Sequence, residues 1–152
     1  MTGLFLGYYI PWDGYSNALI AQANGFATYD KTVEGSVVNY ENLDNHQTGI
    51  HDYFKYLKFG FGRATDIACL HLRRGRITRK DAIEMVNRHD GKFTWEYLGK
   101  SLEKILAPLE MTVDEFVKIC DRFTNKKIFK TDAKGNLVKD KYLNLIKLVN
   151  PE

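Results

Sequence analysis

Two glycines interrupt a run of otherwise helical, aromatic sequence, and that interruption constrains the fold more than any other feature. The run is Tyr53 to Lys80, YFKYLKFGFGRATDIACLHLRRGRITRK. Upstream of the break, Ile50, Tyr53, Phe54 and Leu57 fall at i, i+3, i+4 and i+7, an apolar stripe that predicts a helix from about Thr48 to Lys58. A glycine inside a helix costs about 1 kcal/mol relative to alanine. Gly60 and Gly62, flanked by Phe59 and Phe61, therefore mark a point where the backbone must bend or pack closely. A second helix is predicted from the break to about Arg74, ending at Gly75.

The remaining pattern is also mainly helical. Ser16 or Asp13 can cap a helix through Asn17–Ala23 that ends at Gly25. Thr28–Asn45 reads as loop with one extended piece at most. Thr78 and Asp81 approximate a capping box for a helix from Arg79 to Arg88, which Asp90-Gly91 ends. Thr94 is expected to open a helix carrying Trp95, Leu98, Leu102, Ile105 and Leu106 on one side, stopped by Pro108. Thr112 and Glu115 form a capping box before the stripe Val113, Phe116, Val117 and Cys120. Two pieces differ. Leu4–Ile10 (LFLGYYI), closed by Pro11, predicts a short buried strand whose hydrogen-bonding partners are not obvious. KIFKTDAKGNLVKDKYL predicts a small hairpin turning at Lys134-Gly135-Asn136. No internal repeat is legible. The expected fold class is mainly α: a compact multi-helix assembly with one short N-terminal strand and a small C-terminal hairpin.

With 152 residues and 44% hydrophobic content, the chain can bury one real core and lacks the length for two comfortable domains. No apolar run approaches the roughly 20 residues needed to span a bilayer. No leader pattern precedes the first strand. The two cysteines, Cys69 and Cys120, lie on apolar helical faces and are expected to be buried thiols, which suits a cytoplasmic setting.

Several clusters carry chemistry. Arg63 and Asp66 share one helix face, as a structural ion pair or as part of an anion site. Arg73, Arg74, Arg76, Arg79 and Lys80 either complement a helix C-terminus or clamp phosphate through guanidinium forks. The formal net charge is only +3, with 19 acidic residues interspersed, which argues against nucleic acid as the partner. Tyr8, Tyr9, Trp12 and Asp13 join aromatic faces to a carboxylate, a combination suited to a sugar or a base or to an ordinary strand end capped by Asp13. Asp44, His46, His51 and Asp52 are a metal-ligand candidate with poor helical spacing, set against a solvated helix start. Gly60-x-Gly62 follows a helical stripe rather than a strand, so it fails the context of a dinucleotide loop.

The runs GYYIPWDGYSN, ENLDN, YFKYLKFGFGRATDIA and RRGRITRKDAI resemble the C-terminal part of bacterial N-acetyl sugar amidotransferases of lipopolysaccharide O-antigen and pseudaminic acid-type sugar pathways. The resemblance covers Leu6 to about Phe123. It implies an ATP-dependent ligase that converts the N-acetyl group of a nucleotide-linked sugar to an acetamidino group, with ammonia from a glutaminase subunit and a cyclase-like subunit alongside. ATP with Mg is implied for the complete enzyme and none for this chain alone, because the S-G-G-x-D-S loop of the family's ATP-pyrophosphatase domain has no counterpart here. The expectation is that 1–25 is the tail of an upstream α/β ATP-binding domain and 26–152 a helical C-terminal region. Trp12, Asp13, Lys58, Arg63, Asp66, Arg73, Arg76 and Arg79 fall in the matching runs and are the candidate substrate-binding residues, with Asp66 expected to orient Arg63. The rival reading is a stand-alone helical protein-interaction module.

Overall fold

The computed structural model describes residues 3–148 and is mainly helical. Its helices are α1 (Leu6–Tyr9), α2 (Gly14–Ala23), α3 (Thr48–Phe59), α4 (Arg63–Arg73), α5 (Arg79–His89), α6 (Leu102–Leu106) and α7 (Val113–Phe123). A two-stranded antiparallel pair, β1 (Glu96–Tyr97) and β2 (Lys100–Ser101), precedes α6.

The glycine break does what its sequence requires. Gly60 closes α3 in the left-handed region (φ 76°), its N–H bonded to the Tyr56 carbonyl at 2.8 Å. A Cβ there would lie 2.8 Å from Ile128 Cγ2, so the site rejects other residues on backbone and packing grounds alike. Gly62 is the N-cap of α4 and has no side chain to bond the first amides. Asp90, just past α5, does that from a distance. Its carboxylate accepts Gly62 N–H at 2.9 Å, Ala64 N–H at 3.1 Å and the Thr65 hydroxyl. This cap ties the start of α4 to the end of α5, and the two helices pack side by side. Both expected capping boxes, Thr78 with Asp81 and Thr112 with Glu115, are present.

The core forms where α3 lays Tyr53, Tyr56 and Leu57 against Leu102 and Leu106 of α6, Phe116 and Cys120 of α7, and Phe93, Phe129 and Leu145 from the connecting segments. Fully burying one such side chain contributes about 1.5–3 kcal/mol. A smaller cluster of Val33, Tyr97 and Ile105 pins the long loop between α2 and α3.

Four expectations are corrected. Leu4–Ile10 is not a strand. Tyr8 N–H bonds Phe5 O and Ile10 N–H bonds Leu6 O, both at 3.0 Å, so one helical turn satisfies the backbone locally where a strand would need a neighbour. The helix predicted from Thr94 begins only at Leu102. Leu98 (φ 49°) and Gly99 (φ 72°) instead make the tight turn of β1–β2, because this drives Tyr97 into the core, where it is 1% exposed. Cys69 is exposed while Cys120 is buried. The buried stripe of α4 is Ala64, Ile67, Ala68 and His71, and Cys69 stands one residue off it.

The fourth concerns the C-terminal segment, which holds a hairpin turning at Gly135 (φ 80°) and more besides. Lys130 N–H bonds Ile146 O at 2.8 Å, Ile146 N–H bonds Val138 O at 3.1 Å, and Val138 N–H bonds Lys130 O at 2.9 Å. Three extended pieces thus pair in a closed ring with an eight-residue period. The same period governs the turns. Asp132 accepts the Lys134 and Asn136 amides, and Asp140 accepts the Tyr142 and Asn144 amides, each at 2.8–2.9 Å. Asp-x-x-x-Asn therefore occurs twice, at 132–136 and 140–144, as an internal repeat too short to stand out by eye.

Candidate functional site

A cleft of about 300 Å³ opens where the cap between α4 and α5 meets α3. Its volume is at the lower end of small-molecule sites. One wall is α3, through Gly49, Asp52, Tyr53 and Tyr56; the opposite wall is the segment from Arg88 to Glu96, which leaves α5 and enters β1. Arg63 and the loop at Thr32–Gly35 close the third side.

Glycines let these walls approach. A Cβ on Gly49 would lie 2.5 Å from Tyr97 Cδ2 and 3.1 Å from Thr94 Oγ1. Gly91 sits at φ 74° against the Tyr56 ring. Trp95, which lines the cleft, is held by its indole N–H bond to the Tyr142 carbonyl at 3.1 Å and by edge contact with Phe93 at 4.8 Å between centroids. Thr94 is buried and lines the cleft beside it.

The charges nearly balance. Glu34, Asp52, Asp90 and Glu96 face Arg63, Arg88 and Lys92. Burial alone would lower Arg63, but its Nε–H bond to Glu41 at 3.0 Å, doubled by a second contact from Nη2, holds it firmly charged. Burial pushes Tyr56 and Tyr97 up to about 12, with Asp90 and Asp52 respectively adding to it, so both phenols stay protonated near neutrality. Burial, then the neighbouring Arg88 charge, lowers His89, which favours its neutral form. A near-neutral cleft with aromatic faces and paired hydrogen-bonding groups suits a polyhydroxylated ligand better than a free polyphosphate.

The fit to ATP can be judged at the Gly60-x-Gly62 break. A phosphate would need the free amides at the start of α4. Asp90 already occupies them, and Ile128 packs over Gly60. This loop does not suit a triphosphate.

The structure distributes the sequence-predicted residues over separate places. Arg63 lines the cleft. Asp66 does not orient it; Asp66 pairs with Lys55 of α3, and Glu41 is the partner of Arg63. Trp12, Asp13 and Arg76 meet at the far end of α4, about 15 Å away at 1.5 Å rise per residue. There the Arg76 guanidinium straddles the Asp13 carboxylate and lies 4.9 Å over the Tyr15 ring, and Arg74 Nη2–H donates to the Trp12 carbonyl at 3.0 Å. The Arg76 hydrogen bond holds the Asp13 carboxyl down at about 2. Lys58 lies 5.5 Å over the Phe123 ring. Arg73 and Arg79 are exposed. One phosphate cannot be gripped by Arg63 and the Arg73–Arg79 cluster together. No group of three or more His, Cys, Asp or Glu among the described residues is placed to hold a metal ion, so Asp44, His46, His51 and Asp52 do not converge as one. No helix among the described residues is long and apolar enough to cross a membrane.

Sequence reasoning overlooked Thr94, Trp95 and Gly91. Asp90-Gly91 reads as an ordinary helix stop, and the Phe93-Thr94-Trp95 aromatic cluster reads as the next helix start. The usable signal was that the predicted start lacked a capping box, unlike the two real ones.

A comparison with curated proteins gives no match. Residues 26–144 match the family model described as LPS biosynthesis protein WbpG-like, C-terminal domain. That span takes in the cleft, Arg63 and the Arg73–Arg79 cluster, and leaves α1 and α2 outside. On that match, the chain belongs to the WbpG-like C-terminal domain family of lipopolysaccharide biosynthesis proteins.

Proposed function

We propose that this chain forms the acceptor-sugar side of an ATP-dependent amidotransferase, which exchanges the N-acetyl oxygen of a nucleotide-linked sugar for ammonia-derived nitrogen to leave an acetamidino group. The observation that carries the reading is the family match over a span that contains a near-neutral, aromatic-lined cleft of hexose size. In this reading Trp95 offers a ring face to the sugar, and Thr94 and Asp52 bond its hydroxyl or amide groups. Arg63, held charged by Glu41, stands at the wall to balance an anionic substituent. ATP with Mg supplies the activation of the acetamido oxygen and is held outside this chain, on an upstream ATP-binding domain, since Asp90 fills the helix start that a phosphate would use. A glutaminase subunit and a cyclase-like subunit deliver the ammonia. The setting is the cytoplasm, where nucleotide sugars are made.

Titrating the ¹⁵N-labelled chain with a nucleotide-linked N-acetyl sugar tests this. Amide and indole shifts should concentrate at Gly91, Thr94 and Trp95, and Trp95→Ala should abolish saturable binding while the circular dichroism spectrum stays that of the wild type. ATP–Mg titrated alone should leave the same resonances unmoved. Sugar-induced shifts confined to the Arg73–Arg79 end of α4 would refute the cleft. In a complete enzyme, Arg63→Ala should lower turnover by roughly tenfold or more, on the scale of one lost charge-assisted contact.

A further inference from the structure

Positive charge gathers at the Gly91 end of the cleft, from two segments far apart in sequence. The stretch from Gly91 to Trp95 is pinned at three points. Gly91 packs on the Tyr56 ring, Phe93 N–H bonds Asn144 Oδ1 at 2.8 Å, and the Trp95 indole reaches the Tyr142 carbonyl. Lys92 stands exposed between these anchors and lines the cleft. The turn at 140–144, which receives two of the anchors, leads into the third piece of the C-terminal ring. That piece carries Lys147, whose ammonium lies 5.2 Å over the same Tyr56 ring. Arg88, three residues before Gly91, lines the wall behind them.

The charges around the cleft are unequally engaged. Asp90 takes three donors at the start of α4, Glu34 accepts Leu98 N–H at 2.9 Å, Asp52 contacts His51 at 3.2 Å, and Glu96 comes only after Trp95. Arg63 is held by Glu41, and Arg88 makes an exposed pair with Glu84 that solvent weakens. The ammonium groups of Lys92 and Lys147 have no hydrogen bond or ion pair among the described residues. Their surroundings reinforce them. From residue 126 to residue 147 the sequence holds seven lysines against two aspartates, and both aspartates are taken up in turns. A compact ammonium with three donors suits a phosphate oxygen. A sugar joined to a nucleotide carries its diphosphate on the anomeric carbon, so a pocket for the ring needs cations at its rim. Lys92 is three residues from Trp95, at most about 10 Å along the chain.

We infer that Lys92 and Lys147, backed by Arg88, take the diphosphate of a nucleotide-linked sugar whose ring lies against Thr94 and Trp95. This rests on the sugar reading of the cleft, and it puts the phosphates at the opposite end of α4 from the Arg73–Arg79 cluster. Titrating the ¹⁵N-labelled chain with UDP, N-acetylglucosamine and UDP-N-acetylglucosamine separates the parts. UDP should shift the amides of Lys92 and Lys147, the sugar those of Thr94 and Trp95, and the nucleotide sugar all four, with at least tenfold tighter binding than the sugar. Added NaCl should weaken binding of the nucleotide sugar and not of the sugar. Lys92→Gln with Lys147→Gln should weaken the nucleotide sugar roughly tenfold or more and leave the sugar's own shifts in place. Should that variant lose structure, Lys92→Gln alone serves, and Lys147→Arg, which keeps the charge over Tyr56, should bind as the wild type does. Lys126→Gln with Lys134→Gln removes the same charge near the Gly135 turn and should change nothing. ATP–Mg, whose outer phosphates the metal already holds, should not displace the nucleotide sugar. Undiminished binding by the Lys92–Lys147 variant, an equal loss in the Lys126–Lys134 variant, or displacement by ATP–Mg would overturn the subsite and leave the sugar pocket standing. Thr94 and Trp95 unmoved by either sugar would overturn the sugar reading, and the subsite with it.

Discussion

Single residues set the tolerances of this domain, and glycines are its tightest points. At Gly49 an added methyl would collide with the Tyr97 ring in a helix that cannot shift without disturbing Tyr53. Gly49→Ala should cost about 1–3 kcal/mol, read as a lower urea midpoint at constant m-value. Glu110 presents the reverse case. It occupies the left-handed region (φ 52°) at the end of a 3-10 turn over Ala107–Leu109, and its side chain is exposed. An L-residue in that region costs about 1–2 kcal/mol, part of which glycine returns as unfolded-chain entropy. Glu110→Gly should therefore raise the urea midpoint, and a fall would show that the carboxylate has a role of its own. At this scale the sequence was informative where a residue type has one common use. Gly60 was identified as a break because glycine is costly in a helix. Leu98 and Leu143 (φ 67°) were illegible, since nothing in a leucine announces a positive φ that distant partners impose.

Whole elements were read well where the signal was local. Both capping boxes are made by side chains three residues apart, and both were visible. The cap of α4 was not, because its carboxylate lies 25–28 residues downstream. Asp90→Ala should expose the Gly62 and Ala64 amides and cost about 2 kcal/mol, the upper end for a lost N-cap. Asp90→Asn should recover part of this, and the comparison can be read from hydrogen exchange at the start of α4. The pairing of Arg63 with Glu41 escaped for the same reason as the cap: local spacing offered Asp66, while folding brought a loop residue 22 positions upstream. The strand expected at Leu4–Ile10 failed differently. A greasy run of that length fits either period, and the choice falls to whichever hydrogen bonds are within reach.

At the scale of the molecule, α2 is attached to the body chiefly through Asp13 and Arg76. Asp13 normally titrates near 3.8, and its folded value is about 2. Since the folded value is the lower one, the contact contributes fully above the ordinary value and is lost as pH falls through about 2. Between those limits, amide exchange in α2 should quicken while that of α3 and α7 does not, and Asp13→Asn should abolish the difference. The mainly helical class was evident in the periodicity. The cleft was not, for it is assembled from α3, the end of α5 and a loop near residue 33, which no spacing rule connects. The closing ring of Lys130, Val138 and Ile146 bears on where the domain can be cut. The family match ends at residue 144, yet the third leg of this tripod begins just beyond it. A protein trimmed at its C-terminal end to residue 144 would keep every described helix and still lose the strut under Phe129, so the C-terminal boundary worth expressing is Leu148 or beyond.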